Sequence, residues 1–165
     1  MLVWAGICHD DRTQHKIAQG TLNAIKYRND ILDPIVLPFL HQRNFDHVFQ
    51  HDHAICHVAR VCQNFLNQNH IRVLPSSALS SDLSPIEHLW VELGRRVRHL
   101  QNPPETLQEL RDALVHEWNN IPQAISQRLI GSACRRAKLS LLEEVVTHVT
   151  ELCKPQYCMT ISVCP

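Results

Sequence analysis

The chain has 165 residues, 44% of them hydrophobic and 19% charged: enough for one domain with a real core, too few for two comfortable ones, and too apolar for a disordered tail. Sixteen basic and sixteen acidic side chains cancel, so net charge gives no hint of nucleic acid and any such argument must rest on local clustering. No apolar run approaches a membrane span and no basic segment followed by an apolar stretch opens the chain, so a soluble intracellular protein with no membrane partner is the expectation.

Leu2-Val3-Trp4-Ala5-Gly6-Ile7 is apolar and predicts a strand; the polar turn His9-Asp10-Asp11-Arg12 and a second strand over about Thr13 to Ala18, ended by Gly20, complete a hairpin. From Asn23 to Leu40 the residues Ile25, Ile31, Ile35 and Phe39 favour a helix that Pro34 and Pro38 must kink or divide. Asp46-His47-Val48-Phe49 reads as a short buried strand. It places Asp52 at the strand's C-terminal edge, where open α/β sheets put their ligands. Val58, Val61, Cys62, Phe65 and Leu66 then recur at helical spacing, for a helix over about His57 to Asn67, and Ile71 to Leu74 predicts a further strand stopped by Pro75.

Ser76 to Ser84 is a polar loop before two long helices. Ile86, Leu89, Trp90, Leu93, Val97 and Leu100 line one face of the first; Leu107, Leu110, Leu114 and Trp118 line one face of the second; Asn102-Pro103-Pro104 separates them. The element order predicts a mixed α/β sheet with no internal repeat. Of seven cysteines, Cys8, Cys56, Cys62 and Cys134 lie singly within helical or strand patterns, as reduced thiols do, while Cys153, Cys158 and Cys164 crowd the end in no zinc-site spacing.

Three constellations bear on chemistry. Ser84-Pro85-Ile86-Glu87 has the pattern of a capping box, with Ser84 at the N-cap and Glu87 three residues on; the alternative is that Glu87 faces a metal site begun by Asp52. His51, His53, His57 and Cys56 invite a zinc reading, but no second cluster completes a four-ligand set and twelve histidines make accidental neighbours common. Arg95, Arg96 and Arg98, with Arg128, Arg135 and Arg136 downstream, read as a solvated face or, beside metal-binding carboxylates, as a phosphate contact.

Taken together, His51-Asp52-His53-Ala54, His57-Val58-Ala59-Arg60, Val73-Leu74-Pro75, the run Leu79 to Trp90 and Leu93-Gly94-Arg95-Arg96-Val97-Arg98 resemble the C-terminal part of the catalytic domain of Tc/mariner-type DNA transposases. Val3-Trp4-Ala5-Gly6-Ile7, Gly20 to Ala24 and Glu105 to Ile130 add to the resemblance, which runs from about residue 2 to 136. It implies a ribonuclease H-like (DDE transposase/integrase) fold whose Asp, Asp, Glu triad holds two divalent metals, Mg²⁺ or Mn²⁺. Asp52 and Glu87 match the second and third members, with 34 residues between them. Paired ions of that kind activate water or a 3′-hydroxyl and stabilise the leaving oxygen.

In the family the first aspartate lies on a central strand between the Val3-Trp4 hairpin and the Asp52 strand. The expectation is therefore a fold lacking its first, central strand: a truncated or decayed copy, with residues 1–136 a partial catalytic domain and 137–165 a divergent tail. His53, Ile55-Cys56, Ser76 and Ser81 also depart from residues usual in the family. The resemblance makes DNA, as transposon ends, the expected partner through Arg95, Arg96 and Arg98, leaves a homodimer open, and implies a nuclear protein.

Four expectations follow. Asp52 and Glu87 approach across the sheet edge closely enough to share one ion; the hairpin and the Asp52 strand present unpaired edges; the tail packs poorly, so that deleting residues 140–165 leaves stability nearly unchanged; and the chain alone neither cuts nor joins DNA. The competing readings are a domesticated, noncatalytic DNA- or protein-binding module and a pseudogene product that does not fold.

Overall fold

The computed structural model describes residues 1–18, 20–43, 48–52, 54–73, 84–140 and 158–164. Along the chain come β1 (Leu2–Ile7), β2 (Lys16–Ala18), α1 (Ala24–Tyr27), a π-helical segment (Arg28–Val36), α2 (Leu37–His41), β3 (Val48–Gln50), α3 (Ile55–Val58), α4 (Arg60–Gln68), α5 (Pro85–Arg98), α6 (Leu107–Asn120), α7 (Gln123–Ser140) and β4 (Cys158–Cys164). Expectations for His53, Leu74-Pro75, Leu79 to Leu83 and Cys153 fall outside the described residues.

An unbroken apolar strand has no polar face to offer water, so it must be covered on both sides. Val3 to Ile7 of β1 are all buried, and alternate side chains go to two different cores. Trp4 packs with Tyr27, Ile31, Leu32, Val36, Leu40, Phe49, Cys62 and Leu66, the layer built by the first helical run, β3 and α4. Val3, Ala5 and Ile7 pack with Ile86, Leu89, Trp90, Leu93, Trp118 and Ile130, the layer of α5, α6 and α7. The sheet thus lies between two helical layers, and each large side chain so buried contributes about 1.5–3 kcal/mol.

The first helical run departs from its expected face. Pro34 has no N–H to donate one turn back, and the run widens from residue 28 to 36 into a π-helix instead of breaking. The wider turn advances the buried positions to Tyr27, Ile31, Leu32, Val36 and Leu40, and leaves Ile25, expected on the core face, 62% exposed. The next expected helix is divided at Ala59, whose extended backbone separates α3 from α4. The strand expected at Ile71 to Leu74 is represented by one parallel bridge, Phe49 to Val73. Leu107, expected on the core face of α6, is 66% exposed in the first turn, whereas Trp118 near the other end is buried.

The strand order is β2-β1-β4-β3. β1 runs antiparallel to β2 and to β4, from Val3 opposite Cys164 to Ile7 opposite Thr160, and β3 runs parallel to β4, from Val48 beside Cys158 to Gln50 beside Thr160. The expected unpaired edges on β1 and β3 are therefore corrected: the C-terminal strand fills the gap. The expectation of a poorly packed tail is corrected with it, because β4 is a central strand. α7 runs through residue 136 and continues to Ser140. Backbone pairing explains this outcome: two facing edges of opposite sense, spaced for one strand, satisfy their N–H and C=O groups by accepting any extended segment that can lie between them.

The α6–α7 corner pins the β1–β2 connection on the other flank. Trp118 Nε1–H donates to the Thr13 carbonyl (3.1 Å), Arg12 Nη2–H to the Asn119 carbonyl (3.1 Å), and Gln123 Nε2–H to the carbonyls of Cys8 (3.1 Å) and His9 (3.0 Å).

Candidate active site

Asp52 lies two residues beyond the end of β3 and begins the turn into α3. Its Oδ1 accepts the Ala54 backbone N–H at 3.0 Å, the local Asx pattern that lets an aspartate end a strand and start a turn. The same oxygen accepts Nδ1–H of His57 at 2.5 Å. His57 has no solvent exposure, while the Asp52 side chain keeps 46% of its surface in water. Burial pushes the Asp52 carboxyl upward, but the His57 and Ala54 hydrogen bonds and the charges of His57 and His51 outweigh it, and the group titrates below the usual aspartate range.

Behind Asp52 lies an aromatic wall. The His57 ring centroid is 4.1 Å from that of Tyr27 and 5.4 Å from that of His51, which stacks on it at 14°; Phe49 lies 5.1 Å from His51. Burial, then Cys62 and Asp52, hold the Tyr27 phenol well above its ordinary range, so it stays neutral. Burial raises the Cys62 thiol to about 11; its Sγ lies 3.3 Å from the Ala24 carbonyl and 3.2 Å from that of Cys56, a reduced thiol used as a weak donor. His51 and His57 are thus packed side by side in the wall, and among the described residues no three His, Cys, Asp or Glu side chains are grouped to hold a metal ion.

Glu87 lies in the first turn of α5, half-buried. Ser84 makes no side-chain cap, so the capping box that its spacing from Glu87 allowed does not form. The motif does operate elsewhere: Thr106 Oγ1 accepts the Glu109 N–H at 3.2 Å while the Glu109 carboxylate accepts the Thr106 N–H at 3.4 Å, a T-x-x-E pattern that sequence reading passed over. Asp52 thus lies just past the end of β3 and Glu87 in the first turn of α5, with no hydrogen bond between them among the described residues.

Thr160 is the register partner of Gln50, the last paired residue of β3, and Ser162 pairs with Ala5 of β1. From Cys158 to Cys164 the strand reads CMTISVC and carries no carboxylate.

The basic end of α5 is already engaged. Glu92 accepts Arg95 Nε–H (2.9 Å) and Nη2–H (2.8 Å) and Arg96 Nε–H (2.8 Å). Arg96 also donates to the Asn120 carbonyl at 3.3 Å and approaches Glu117 at 3.9 Å. With Glu92 three and four residues upstream of the two arginines, this pairing was visible in the sequence. The arginine bonds hold the Glu92 carboxyl down at about 2. Arg98 lies back along its own helix over Gly94.

No family model matches the chain. It is 29% identical to the Tcb1 transposable-element transposase of Caenorhabditis briggsae over 143 residues, 84% of this chain and 50% of that protein, and equally so, with the same coverage, to the Tc1 transposase of Caenorhabditis elegans. With the Caenorhabditis elegans Tc3 transposase it shares 27% over 133 residues, 80% of this chain and 40% of that protein. The chain is homologous to the Tc1, Tc3 and Tcb1 transposases. It spans about half the length, or less, of these relatives. The solved catalytic domain of Mos1 mariner transposase superposes with a TM-score of 0.70 at 19% identity, covering 89% of this chain and 72% of that one, which shows the ribonuclease H-like fold. Among the described residues the chain is mixed helix and sheet. Among the described residues no helix is long and apolar enough to cross a membrane.

Proposed function

We propose that this transposase-derived domain keeps two positions of a three-carboxylate metal site, Asp52 and Glu87, and is catalytically incomplete. The observation that carries the reading is the central strand: β4, which pairs with β3 as far as Gln50, contains no acidic residue. The donors that remain fit a hard divalent ion in kind, since Asp52 has an exposed carboxylate whose Oδ2 is not engaged by His57 or Ala54, and Glu87 is not tied into a cap. They do not fit it in number. A bound Mg²⁺ or Mn²⁺ pair would activate the attacking oxygen and stabilise the leaving one in phosphodiester cleavage and transfer. With two carboxylates the chain holds one such ion weakly and supports no such reaction alone.

The partner in this reading is DNA, bound without sequence preference and with strong salt dependence through the end of α5. Arg98 supplies much of that attraction, because Arg95 and Arg96 share Glu92. Homodimerisation and a nuclear location accompany the reading as expectations for a transposase relative.

The experiment is a nicking assay on supercoiled plasmid with Mg²⁺ and, separately, Mn²⁺, using the full chain and its Asp52→Ala and Glu87→Ala variants. The expected result is no metal-dependent nicking by any of them. Nicking by the full chain that both variants abolish would show that a further carboxylate completes the site.

A further inference from the structure

We propose that the free edge of β2 and the cleft beside it accept an extended peptide of another protein as an added strand, with an acidic side chain near Lys16 and an apolar one two residues away against Pro34, Ile35 and Pro38.

β2 ends the sheet, so alternate residues of it turn their N–H and C=O groups away from β1. The strand is also bulged where it begins. Trp4 pairs with Lys16 and Ile7 bridges to Arg12, so residues 5 and 6 of β1 stand opposite the three residues 13–15. At this bulge Thr13 serves Gly6 twice: its N–H donates to the Gly6 carbonyl and its Oγ1 accepts the Gly6 N–H, each at 2.8 Å. Gln14 and His15 make no backbone hydrogen bond among the described residues, so their polar groups add open positions to the edge.

A cleft of about 510 Å³ lies between residues 11–16 and one side of the π-helical segment and α2. Its helical wall carries the exposed Pro34 and Pro38 and the half-buried Ile35, whose side chains offer apolar contact and no hydrogen bond. The strand wall is charged. Asp11 is held by Arg43, and burial keeps His15 below the ordinary histidine range and so neutral near pH 7. Arg12 and Lys16 then outnumber the one remaining acid of the lining, Asp30. Lys16 makes no ion pair among the described residues; as the cross-strand partner of Trp4 it stands on the face of the sheet that the π-helical layer covers.

These features select the occupant. An edge with open backbone groups takes a strand, and the period of two puts every second side chain of that strand on the cleft side. The surplus positive charge favours an acid there, and the apolar strip favours an apolar residue two positions on. A second copy pairing edge to edge is disfavoured by the lysine and the bulge, both devices that keep sheet edges apart.

The test uses the full chain and its Lys16→Glu variant, a change at an exposed position, to select from a displayed library of random short peptides. A selected peptide is then synthesised with alternate amides N-methylated, in both registers, and its binding measured by fluorescence anisotropy. The parent is expected to enrich peptides with an acidic residue two positions from an apolar one, and Lys16→Glu to enrich basic residues at the acidic position. The parent's peptide should bind Lys16→Glu about two- to fivefold more weakly. Methylation in one register should weaken binding about tenfold and in the other should leave it unchanged. No enrichment, the same peptides selected by both chains, or equal binding of the two methylated forms would overturn the proposal. So would sedimentation showing parent dimers that Lys16→Glu dissociates, which would give the edge to a second copy. Binding of a short DNA duplex that Lys16→Glu loses, with no peptide selected, would overturn it in favour of nucleic acid.

Discussion

Ending the chain at residue 157 removes β4 and should collapse the sheet. The strand contributes five register pairs with β1 and three with β3, which correspond to roughly seven backbone hydrogen bonds at about 1 kcal/mol net each. A loss of about 5–8 kcal/mol is comparable with the whole stability of an ordinary domain, about 5–15 kcal/mol. It also leaves the buried β1 and β3 with open edges facing one another, which favours association between copies. Thermal unfolding followed by circular dichroism, with light scattering in parallel, reads both effects. The expected outcome is a transition lowered by at least about 10 °C or lost, with aggregation at concentrations where the full chain stays clear. A gentler version is Ile161→Pro, which removes the N–H of a residue paired with Gly6 in the middle of the sheet and should act in the same direction. A shortened chain that unfolds within about 2 °C of the parent, with the same cooperativity, would refute the placement of β4 in the sheet and restore the view of the tail as a passive appendage.

Trp118→Phe removes the indole N–H that serves the Thr13 carbonyl while keeping a ring in the core, and should cost about 1–3 kcal/mol in denaturant unfolding. Thr106→Ala opens the capping box at the start of α6, for a loss of about 1 kcal/mol by the same measurement. Because the arginine bonds lower the Glu92 carboxyl from 4.5 to about 2, its contribution is complete above about pH 4.5 and fades as pH falls toward 2; the stability difference between the parent and Glu92→Gln should therefore shrink across that window, and a difference that grows on acidification would contradict it.

Much of this architecture is legible in short stretches. The apolar run from Leu2 to Ile7 announces a strand, and the i, i+3, i+4 spacing of Ile86, Leu89, Trp90, Leu93 and Val97 announces the buried face of α5; these patterns depend only on which side meets the core. The end of β3 likewise singles out Asp52. Other features depend on competition that local pattern does not reveal. Pro34 could break a helix or widen it, and the buried series from Tyr27 to Leu40 shows that packing against Trp4 chose widening. The role of Cys158 to Cys164 is set by two distant edges needing a partner, information that the heptapeptide itself does not contain. His57 was visible only as one of several histidines near Asp52; what distinguishes it is the turn through Ala54 that carries its ring back to the carboxylate.

The pairing of Val3 with Cys164 joins residues 161 positions apart, so the middle of the sheet is held by the longest-range contacts in the fold. Contacts of that separation form late, because the chain gives up loop entropy before they return anything. While the polypeptide is being synthesised, β1 and β2 emerge early and must wait, with one edge of β1 exposed, until the segment from Cys158 onward has been made. Association with other nascent chains is favoured during that interval. The antiparallel register also sets the start of β1 beside the end of β4, so a short turn joining the two would make β4, β1 and β2 consecutive strands of a meander, turning the slowest pairing in the molecule into one of the fastest.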